Sequence, residues 1–551
     1  MSTVPKARRP SDEKRFGRPA DGADADGPRT IAVIDVGTSS IRMAVAETAS
    51  GGGRPRVLEQ LSQAVALGRD TFTTGVIGVD ATEQCVRVLR DYLDVLEEYG
   101  VTDRRRVRVV ATTAVREAGN RLTFIDRVFG ATGLDIEAIE QAEVNRLTYL
   151  SVLPVIGDEP SLAGKLCCVV EVGGGSTEIL LVRDGDIVTT ATARLGTLRL
   201  RETLEQFHAS EPTARTVMSR QIDRVARQLV ARIDPDGQYG PIEAVVALGA
   251  DVRFAARQLS GGPEPVGLAP LVLDDLASLA GDMLEQSEND LIRRLGLSVP
   301  SAETLRPALL AYVSLARSCG VDEVLVCGAT LRDGLLLDLA AADVWTDRAT
   351  RQIVHSALEL ARKYDADVPH ATHVASLAGR LFEELAPEHR LRTAYNLPLR
   401  LAGLLHEIGL YIGQSSHHKH AMYLILNSEL FGLGRRERLL VALVARYHRR
   451  ASPKPSHAYV DSLDRDDRVA IAKLAAILRV AIALDESRSQ RVGDFTVARD
   501  GRRIVLTIPG VDDVSLERLA LNQSGPLFEE VFGRELLLRT DRVNVDVATP
   551  D

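Results

Sequence analysis

The chain has 551 residues, 45% of them hydrophobic and 26% charged, and a formal charge of −9 from 67 Lys and Arg against 76 Asp and Glu. That length suits several domains, and an acidic total argues against a general nucleic-acid binder. No apolar run approaches the ~18 residues of a membrane span, and five cysteines without CxxC spacing suit a reducing cytoplasm.

Residues 1–28 lack the apolar core of a secretory signal and read as a disordered arm rich in Pro, Gly, Asp and Arg. Ile31–Thr48 reads as strand, tight turn, strand. A helix follows over Ala81–Tyr99, with Val86, Leu89, Tyr92, Leu93 and Leu96 at helical spacing. Then come a strand at Val107–Ala111, a strand at Ile136–Ile139 and a helix at Gln141–Leu153. The pattern restarts with strands Cys167–Val172, Ile179–Val182 and Ile187–Ala193. Helices Thr213–Ile233, Asp274–Leu284 and Ala302–Ala316 and strands Ala244–Leu248 and Glu323–Val326 complete it. A hairpin unit followed by alternating strands and helices, met twice, predicts two α/β lobes (29–157 and 158–343) with a cleft between them.

From Thr350 to Ser487 only helical periods occur: Ile353–Tyr364, Ala371–Leu385, Leu399–Leu410, His420–Asn427, Arg435–Arg446 and Val469–Leu484. They define a helical domain over 344–490. Strands at Phe495–Val497, Arg503–Ile508 and Glu535–Arg539, with a helix over Gly525–Val531, predict a small α/β cap over 491–551.

Two segments carry the chemistry, Ile34–Ser40 and Glu171–Glu178. Each sets a carboxylate just before a turn rich in backbone N–H and hydroxyl donors. Glycine lets the backbone approach an anion, and Ser and Thr add donors. Two such turns face to face would clamp a chain of phosphates and leave the carboxylates for a divalent metal.

On these turns the chain resembles the exopolyphosphatase/guanosine-pentaphosphate phosphatase (Ppx/GppA) family, from about Thr30 to the C-terminus. The resemblance implies an α/β fold of two actin-like (ribonuclease H-like, ASKHA) lobes, then an all-α HD-like domain and a small C-terminal α/β cap. It implies a homodimer and the use of Mg²⁺, while the cysteines, the acidic total and the lack of a long apolar run lead to the expectation of a cytoplasmic protein that binds neither membrane nor specific nucleic acid. Phosphate would be held by Asp35, Gly37, Thr38, Ser39, Ser40, Gly173, Gly174, Gly175, Ser176 and Thr177, and the metal by Glu171 and Glu178. Arg116, in ATTAVREA, would fork two donors onto phosphate oxygens.

Several positions depart from that pattern. Hydrolysis needs an oriented water and gains from a general base. The family motif resembling SGxEEAxL falls on Glu140–Leu147. Its first glutamate is Glu143, and its second, the usual base, is Val144, which accepts no proton. Glu143 is the expected substitute and Glu140 the alternative. Glu171 stands where the family has aspartate. The family's Gly-x-Ser-Gly-Thr turn reads Gly249-Ala250-Asp251-Val252-Arg253, with hydroxyls lost and an acid gained, whereas Gly328–Gly334 fits the closing motif. In the HD-like region His373, His406 and Glu407 are the candidate ligands, and the later acidic ligand falls on Ile482, with Asp485 beside it. The expectation is a metal-free structural domain. Lys419, His420, Arg449 and Arg450 form either the family's polyanion channel or a solvated basic face.

The function read from this is a hydrolase releasing terminal phosphate from inorganic polyphosphate or guanosine pentaphosphate. The alternative is a weakened or inactive relative that binds polyphosphate or a guanosine penta-/tetraphosphate alarmone and regulates. A sugar or acyl kinase is disfavoured by the altered Gly249 turn.

Overall fold

The structure is a computed structural model that describes residues 28–48, 54–206, 211–234, 237–262, 267–340, 347–428, 430–449, 451–454, 456–460, 463, 465–511 and 513–540. The arm expected over 1–28 lies outside the described residues except at its last position. The chain divides into two compact units at 344/345.

The first unit holds two sheets. Strands β1 (Thr30–Val36), β2 (Ser40–Glu47), β3 (Arg56–Ala64), β4 (Val107–Ala111) and β5 (Ile136–Ala138) lie in the order β3-β2-β1-β4-β5. The second sheet comprises β6 (Leu166–Val172), β7 (Thr177–Arg183), β8 (Asp186–Ala193), β9 (Ala244–Leu248), β10 (Leu268–Val272) and β11 (Glu323–Cys327), ordered β10-β11-β9-β6-β7-β8. Reading β8-β7-β6-β9-β11 reproduces the first sheet's order. The directions match too: the hairpin strands are antiparallel and β1/β4 and β6/β9 are parallel. The two lobes therefore repeat one topology, as the restarted sequence pattern predicts.

The central strands β1 and β6 are buried over nearly their whole length, because helices cover both faces of the sheet where strands run parallel. On one face of the first sheet, Ile31, Val33, Ala44, Ala46 and Val110 form a cluster with Ile139, Val144 and Leu147 and with Leu335 and Leu336. Helix Leu331–Ala340, reached from the second lobe, thus returns to roof the first. Gly334 permits this. A Cβ there would stand 2.0 Å from the Leu147 carbonyl oxygen, so the closing motif is a packing turn at which any side chain forces the helices apart.

Strands Val107–Ala111, Ala244–Leu248 and Arg503–Ile508 and helix Arg435–Arg446 have the bounds read from sequence, and most other elements shift by a few residues. Predicted helix Leu399–Leu410 is a helix over Asn396–Leu405 and a 3-10 turn over Ile408–Tyr411. The helix expected at Gly525–Val531 runs over Ser515–Phe532. Edge strands β3, largely exposed, and β10, which contains Pro270, escape sequence reading because neither carries a buried alternating face.

The second unit packs helices Asp347–Lys363, Val368–Glu384, Asn396–Leu405, His417–Asn427, Arg435–Arg446 and Arg465–Ala483 around one core. Strands β12 (Thr496–Asp500), β13 (Arg503–Ile508) and β14 (Glu535–Thr540) form a third sheet, backed by helix Ser515–Phe532. Phe495, Ile504, Leu506, Phe528 and Leu538 belong to the same apolar cluster as Leu474 and Leu478. The boundary expected at 490 therefore divides no separate core, a correction to the predicted cap domain. Among the described residues no helix is long and apolar enough to cross a membrane.

Candidate functional site

The two Gly/Ser/Thr turns end β1 and β6 and meet face to face. In the first, the Gly37 N–H donates to the Ser40 carbonyl at 3.0 Å, and the Thr38 carbonyl accepts from the Gly68 N–H at 2.8 Å, which bolts the turn to helix Leu67–Thr74. In the second, the Gly173 N–H donates to the Ser176 carbonyl at 2.9 Å. A Cβ on Gly174 would stand 3.1 Å from the Thr38 Cβ, and one on Gly175 would stand 2.7 Å from the Thr113 Cγ2. Glycine is what allows this approach. Ser176 and Thr113 join their hydroxyls across the gap at 3.2 Å. The Gly173 and Gly174 carbonyls accept from the first N–H groups of helix Thr197–Gln206, at 3.0–3.1 Å. Thr177, proposed for phosphate, donates instead to the Leu195 carbonyl at 2.5 Å. Ser39 borders a cavity of about 150 Å³ shared with Arg69, Leu198, Glu303 and Thr304. A larger cavity of about 360 Å³ lies beside the closing turn, among Ser151, Gly328, Asp333 and Leu336.

Behind the turns stand three carboxylates, Asp35 and Glu178 buried and Glu171 half-buried. Register pairs Asp35 with Arg42 across β1/β2 and Glu171 with Glu178 across β6/β7. Among the described residues Asp35 Oδ1 has no hydrogen-bond partner, and burial pushes this carboxyl up against the pull of Arg42 and Arg332. Glu171 is also raised by burial, although it accepts from Thr148 Oγ1 at 3.2 Å. Glu178 is pushed up to about 7, by burial first and by Glu171 second. Its Oε1 accepts from Ser176 Oγ at 2.5 Å and Gln141 Nε2 at 3.0 Å. Like charges directly opposed on neighbouring strands destabilise a sheet. This pair, next to the unpartnered Asp35 oxygen, is the donor set that suits a hard divalent cation.

Helix Gln141–Ile156 closes one side. Gln141, Asn145 and Thr148 recur at i, i+4 and i+7 and so share the face turned to Glu171 and Glu178. Arg116 Nη2 donates to Gln141 Oε1 (2.9 Å) and Thr113 Oγ1 (3.2 Å), and Nη1 to the Ile139 carbonyl (3.1 Å). It is thus held beside the Ser176 turn. Glu143 is placed elsewhere, and its expected role as base is corrected. Its two oxygens accept from Arg146 Nη2 and Nε at 2.8 and 2.9 Å and from Arg108 Nη2 at 3.1 Å. Asp338 completes the cluster by accepting from Arg146 Nη1 at 2.6 Å and from Arg108. Two residues past Gln141 on a helix, Glu143 projects some 200° around the axis. The guanidiniums hold its carboxyl below the usual range despite burial. Glu140 immediately precedes that helix and makes no side-chain bond to its first N–H groups, and Val144 sits in the apolar cluster of the first sheet.

Arg42, Arg253 and Arg332 all act electrostatically on this group of acids. Sequence reasoning missed all three. The available signal was Arg42 inside the otherwise apolar run of β2, since a charge in a buried strand has to be paired. Asp251, where the family's hydroxyl turn would be, is half-buried and pushed up to about 6 by desolvation of its carboxyl, against the pull of Arg42 and an accepted bond from Thr304. The native state therefore keeps a proton that the unfolded state has lost, from about pH 4 to 6, and stability falls as pH rises through that window. Asp251→Asn is expected to stabilise this unit by up to about 3 kcal/mol at pH 7.5 and negligibly at pH 4.5. Thermal unfolding of the variant at the two pH values checks it, and an equal shift at both would refute the assignment.

In the helical unit, His373 is half-buried and, among the described residues, belongs to no group of potential ligands. His370, three residues earlier, is the one grouped with His406 and Glu407. Lys419 and Arg449 are exposed and His420 half-buried, and Arg450 lies outside the described residues.

The model of the Ppx/GppA phosphatase family matches residues 44–342, and that of Ppx/GppA phosphatase domain III matches 353–522. The chain is 25% identical over 489 residues to a guanosine-5'-triphosphate,3'-diphosphate pyrophosphatase of Aeromonas hydrophila, covering 87% of this chain and 92% of the relative. It is 23% identical over 472 residues to the protein of that name from Pseudoalteromonas translucida, covering 84% and 88%. Among solved structures, an exopolyphosphatase from Cytophaga hutchinsonii aligns with a TM-score of 0.50 at 20% identity, over 57% of this chain and 98% of that one.

Proposed function

The chain belongs to the Ppx/GppA phosphatase family, and from that premise we propose that it hydrolyses a terminal phosphoanhydride bond of inorganic polyphosphate or of guanosine pentaphosphate, in the cleft between its two lobes. The observation that carries the reading is the meeting of the Thr38 and Gly174 turns over Asp35, Glu171 and Glu178. Backbone donors of Gly37–Ser40 and Gly173–Ser176 would hold the phosphates. Arg116 stands at the edge of the second turn, where a short movement frees its fork for a phosphate oxygen. Arg42, Arg253 and Arg332 would offset the charge of a polyanion. Glu171 and Glu178 would hold Mg²⁺, with Asp35 adjacent; the ion, when bound, neutralises charge on the leaving phosphate. Phosphoryl transfer asks little covalent chemistry of the protein, so positioning and charge carry most of the rate. A missing base removes only part of it, about 10²- to 10⁴-fold.

A second reading has its own observation. Val144 is packed in an apolar cluster and Glu143 is locked between two arginines, so no proton acceptor stands on helix Gln141–Ile156 at the usual place. The chain would then bind polyphosphate or an alarmone and act through that binding. Phosphate release from long-chain polyphosphate and from guanosine pentaphosphate, with Mg²⁺ and with chelator, separates the two. Slow release that requires Mg²⁺ is expected. Salt-dependent binding without release would establish the second reading, and neither release nor binding would sink both.

A further inference from the structure

The segment without its base carries two other side chains in exchange. Set against the motif SGxEEAxL, Gln141 stands in place of the glycine and Asn145 in place of the alanine, while Val144 replaces the second glutamate. Helix Gln141–Ile156 keeps a single carboxylate, Glu143, which Arg108 and Arg146 hold away from the cleft. Its cleft face presents two carboxamides one turn apart. Gln141 Nε2 lies 3.4 Å from Asn145 Oδ1 and donates to Glu178 Oε1 at 3.0 Å. Hydrogen-bonding groups thus stand where the motif has small residues, on the one face that looks at the cleft carboxylates.

Gln141 closes a ring of hydrogen bonds. Its Oε1 accepts from Arg116 Nη2 at 2.9 Å, and the same Nη2 donates to Thr113 Oγ1 at 3.2 Å. The Thr113 and Ser176 hydroxyls lie 3.2 Å apart, and Ser176 donates to Glu178 Oε1 at 2.5 Å, the oxygen that also accepts from Gln141. A guanidinium only donates, so the Gln141 amide fits this ring one way round, oxygen towards Arg116 and nitrogen towards the carboxylate. Asn145 Oδ1 supports the same orientation from below, where Asn145 is 1% exposed. Gln141 itself is half-buried, with Arg116 half-buried beside it.

We propose that Gln141 orients the attacking water, taking over the task of the missing base, and that Arg116 frees it to do so when phosphate binds. The assignment rests on the hydrolytic reading above. A phosphate seated on the second turn draws the Arg116 fork to its oxygens, because a bond between charged partners is roughly twice as strong as a neutral one. Arg116 Nη2 then leaves Gln141 Oε1, while Gln141 Nε2 stays on Glu178. The amide keeps its orientation, and its oxygen becomes an acceptor for water beside the phosphate. A glutamine that orients the attacking water is a recurring part of phosphoryl-transfer sites. Substrate binding and water alignment are thereby one event.

The step balances without a protein base. The water donates one hydrogen bond to Gln141 Oε1 and turns a lone pair towards the terminal phosphorus. Its oxygen bonds to that phosphorus, and the bridging P–O bond breaks with its electron pair leaving on the shortened chain. An amide oxygen accepts a hydrogen bond but does not take the proton at neutral pH. The water's proton therefore goes to a non-bridging oxygen of the released phosphate, which a largely dissociative transition state allows.

The test is phosphate release from long-chain polyphosphate by full-length protein at saturating Mg²⁺, with kcat and KM followed between pH 6 and 9. Gln141→Leu should lower kcat about tenfold or more and leave KM within about threefold, since the amide acts on the water and not on the phosphate chain. Gln141→Glu keeps an oxygen towards Arg116 and can take a proton. At high pH its kcat should exceed that of Gln141→Leu about tenfold, with an acid limb that the wild type lacks. Arg116, Glu178 and Asn145 face this position and Glu140 adjoins it; those groups are present in every variant, so the limb is read as the difference from wild type. A glutamine that merely braces Arg116 or Glu178 gives a raised KM, equal losses in both variants and no new limb, and that result overturns the proposal. So does a kcat that survives Gln141→Leu but collapses in Glu140→Gln, which makes Glu140 the base. In both cases release by the wild type leaves the hydrolytic reading standing, whereas no release by the wild type at any pH overturns reading and proposal together. Thermal unfolding of each variant separates lost folding from lost chemistry, and the new limb of Gln141→Glu decides alone should Gln141→Leu fail to fold.

Discussion

Replacing Arg146 with leucine should lower the stability of the two-lobed unit by about 3–5 kcal/mol, the usual cost of removing one partner from a buried ion group. Arg146 and Glu143 are each about 10% exposed at the side chain, Arg108 14% and Asp338 25%. The cluster sets two guanidiniums against Glu143, Asp338 and, 3.5 Å from Arg108, the more exposed Glu137. Without Arg146, Glu143 loses both bonds of a bidentate pair, Asp338 loses another, and a net negative charge stays buried beside Arg108 alone. Such a charge has no water to turn to, which is why the loss exceeds that of an exposed pair. The location matters as much as the size. Arg146 lies on helix Gln141–Ile156 and Asp338 on helix Leu331–Ala340, so the cluster pins the end of the second lobe's chain to the first lobe's sheet. Glu143→Gln with Arg146→Leu removes one charge of each sign and should cost less than the two single changes summed. Chemical unfolding of the three variants decides it. A loss below about 1 kcal/mol for Arg146→Leu would mean that water reaches the cluster.

That cluster also shows where the sequence was legible and where it was not. Register against a family motif put Glu143 next to the position of the expected base, and register is a one-dimensional statement. Helical geometry was equally available: Gln141, Asn145 and Thr148 mark one face, and Glu143 with Arg146 forms an i,i+3 pair on another. What no local pattern supplies is Asp338, nearly two hundred residues away. The same division holds in the helical unit. Asp367 and Pro369 are a helix-start signal, with the Asp367 side chain accepting from the His370 N–H. Read that way, the helix begins three residues earlier than its apolar period suggests, and His370 rather than His373 falls in the first turn. The contact of His370 with Asp485 spans 115 positions and follows only from packing. Strands and the paired turns were legible because burial on both faces and glycine-rich corners leave strong local marks. The arginines that act on the acids were not, because those acids lie on other elements.

Glu178→Gln is expected to reduce Mg²⁺-dependent phosphate release at least about a hundredfold, a few kcal/mol of lost charge stabilisation, and to erase a pH-dependent response to Mg²⁺. The argument runs through protons. Glu178 is pushed up to about 7 from an ordinary 4.5, by burial and then by Glu171 across the ladder. Between those two values the native state holds a proton that the unfolded state has released. Without Mg²⁺, stability therefore falls as pH rises through that window, by up to about 3 kcal/mol from this group. Metal binding requires the carboxylate, so protons and Mg²⁺ compete, and below pH 7 each unit of acidity weakens binding about tenfold. The thermal shift produced by Mg²⁺ should thus be small at pH 6 and larger at pH 8. Glutamine keeps the bond from Ser176 and most of the shape but neither titrates nor attracts the ion. The variant should be more stable than wild type at pH 8 without Mg²⁺, and should gain almost nothing when Mg²⁺ is added. Stabilised apo protein with lost activity is a signature that simple unfolding of the site cannot produce. A Mg²⁺ shift equal at both pH values, or one that survives Glu178→Gln, would place the ion away from the Glu171–Glu178 pair.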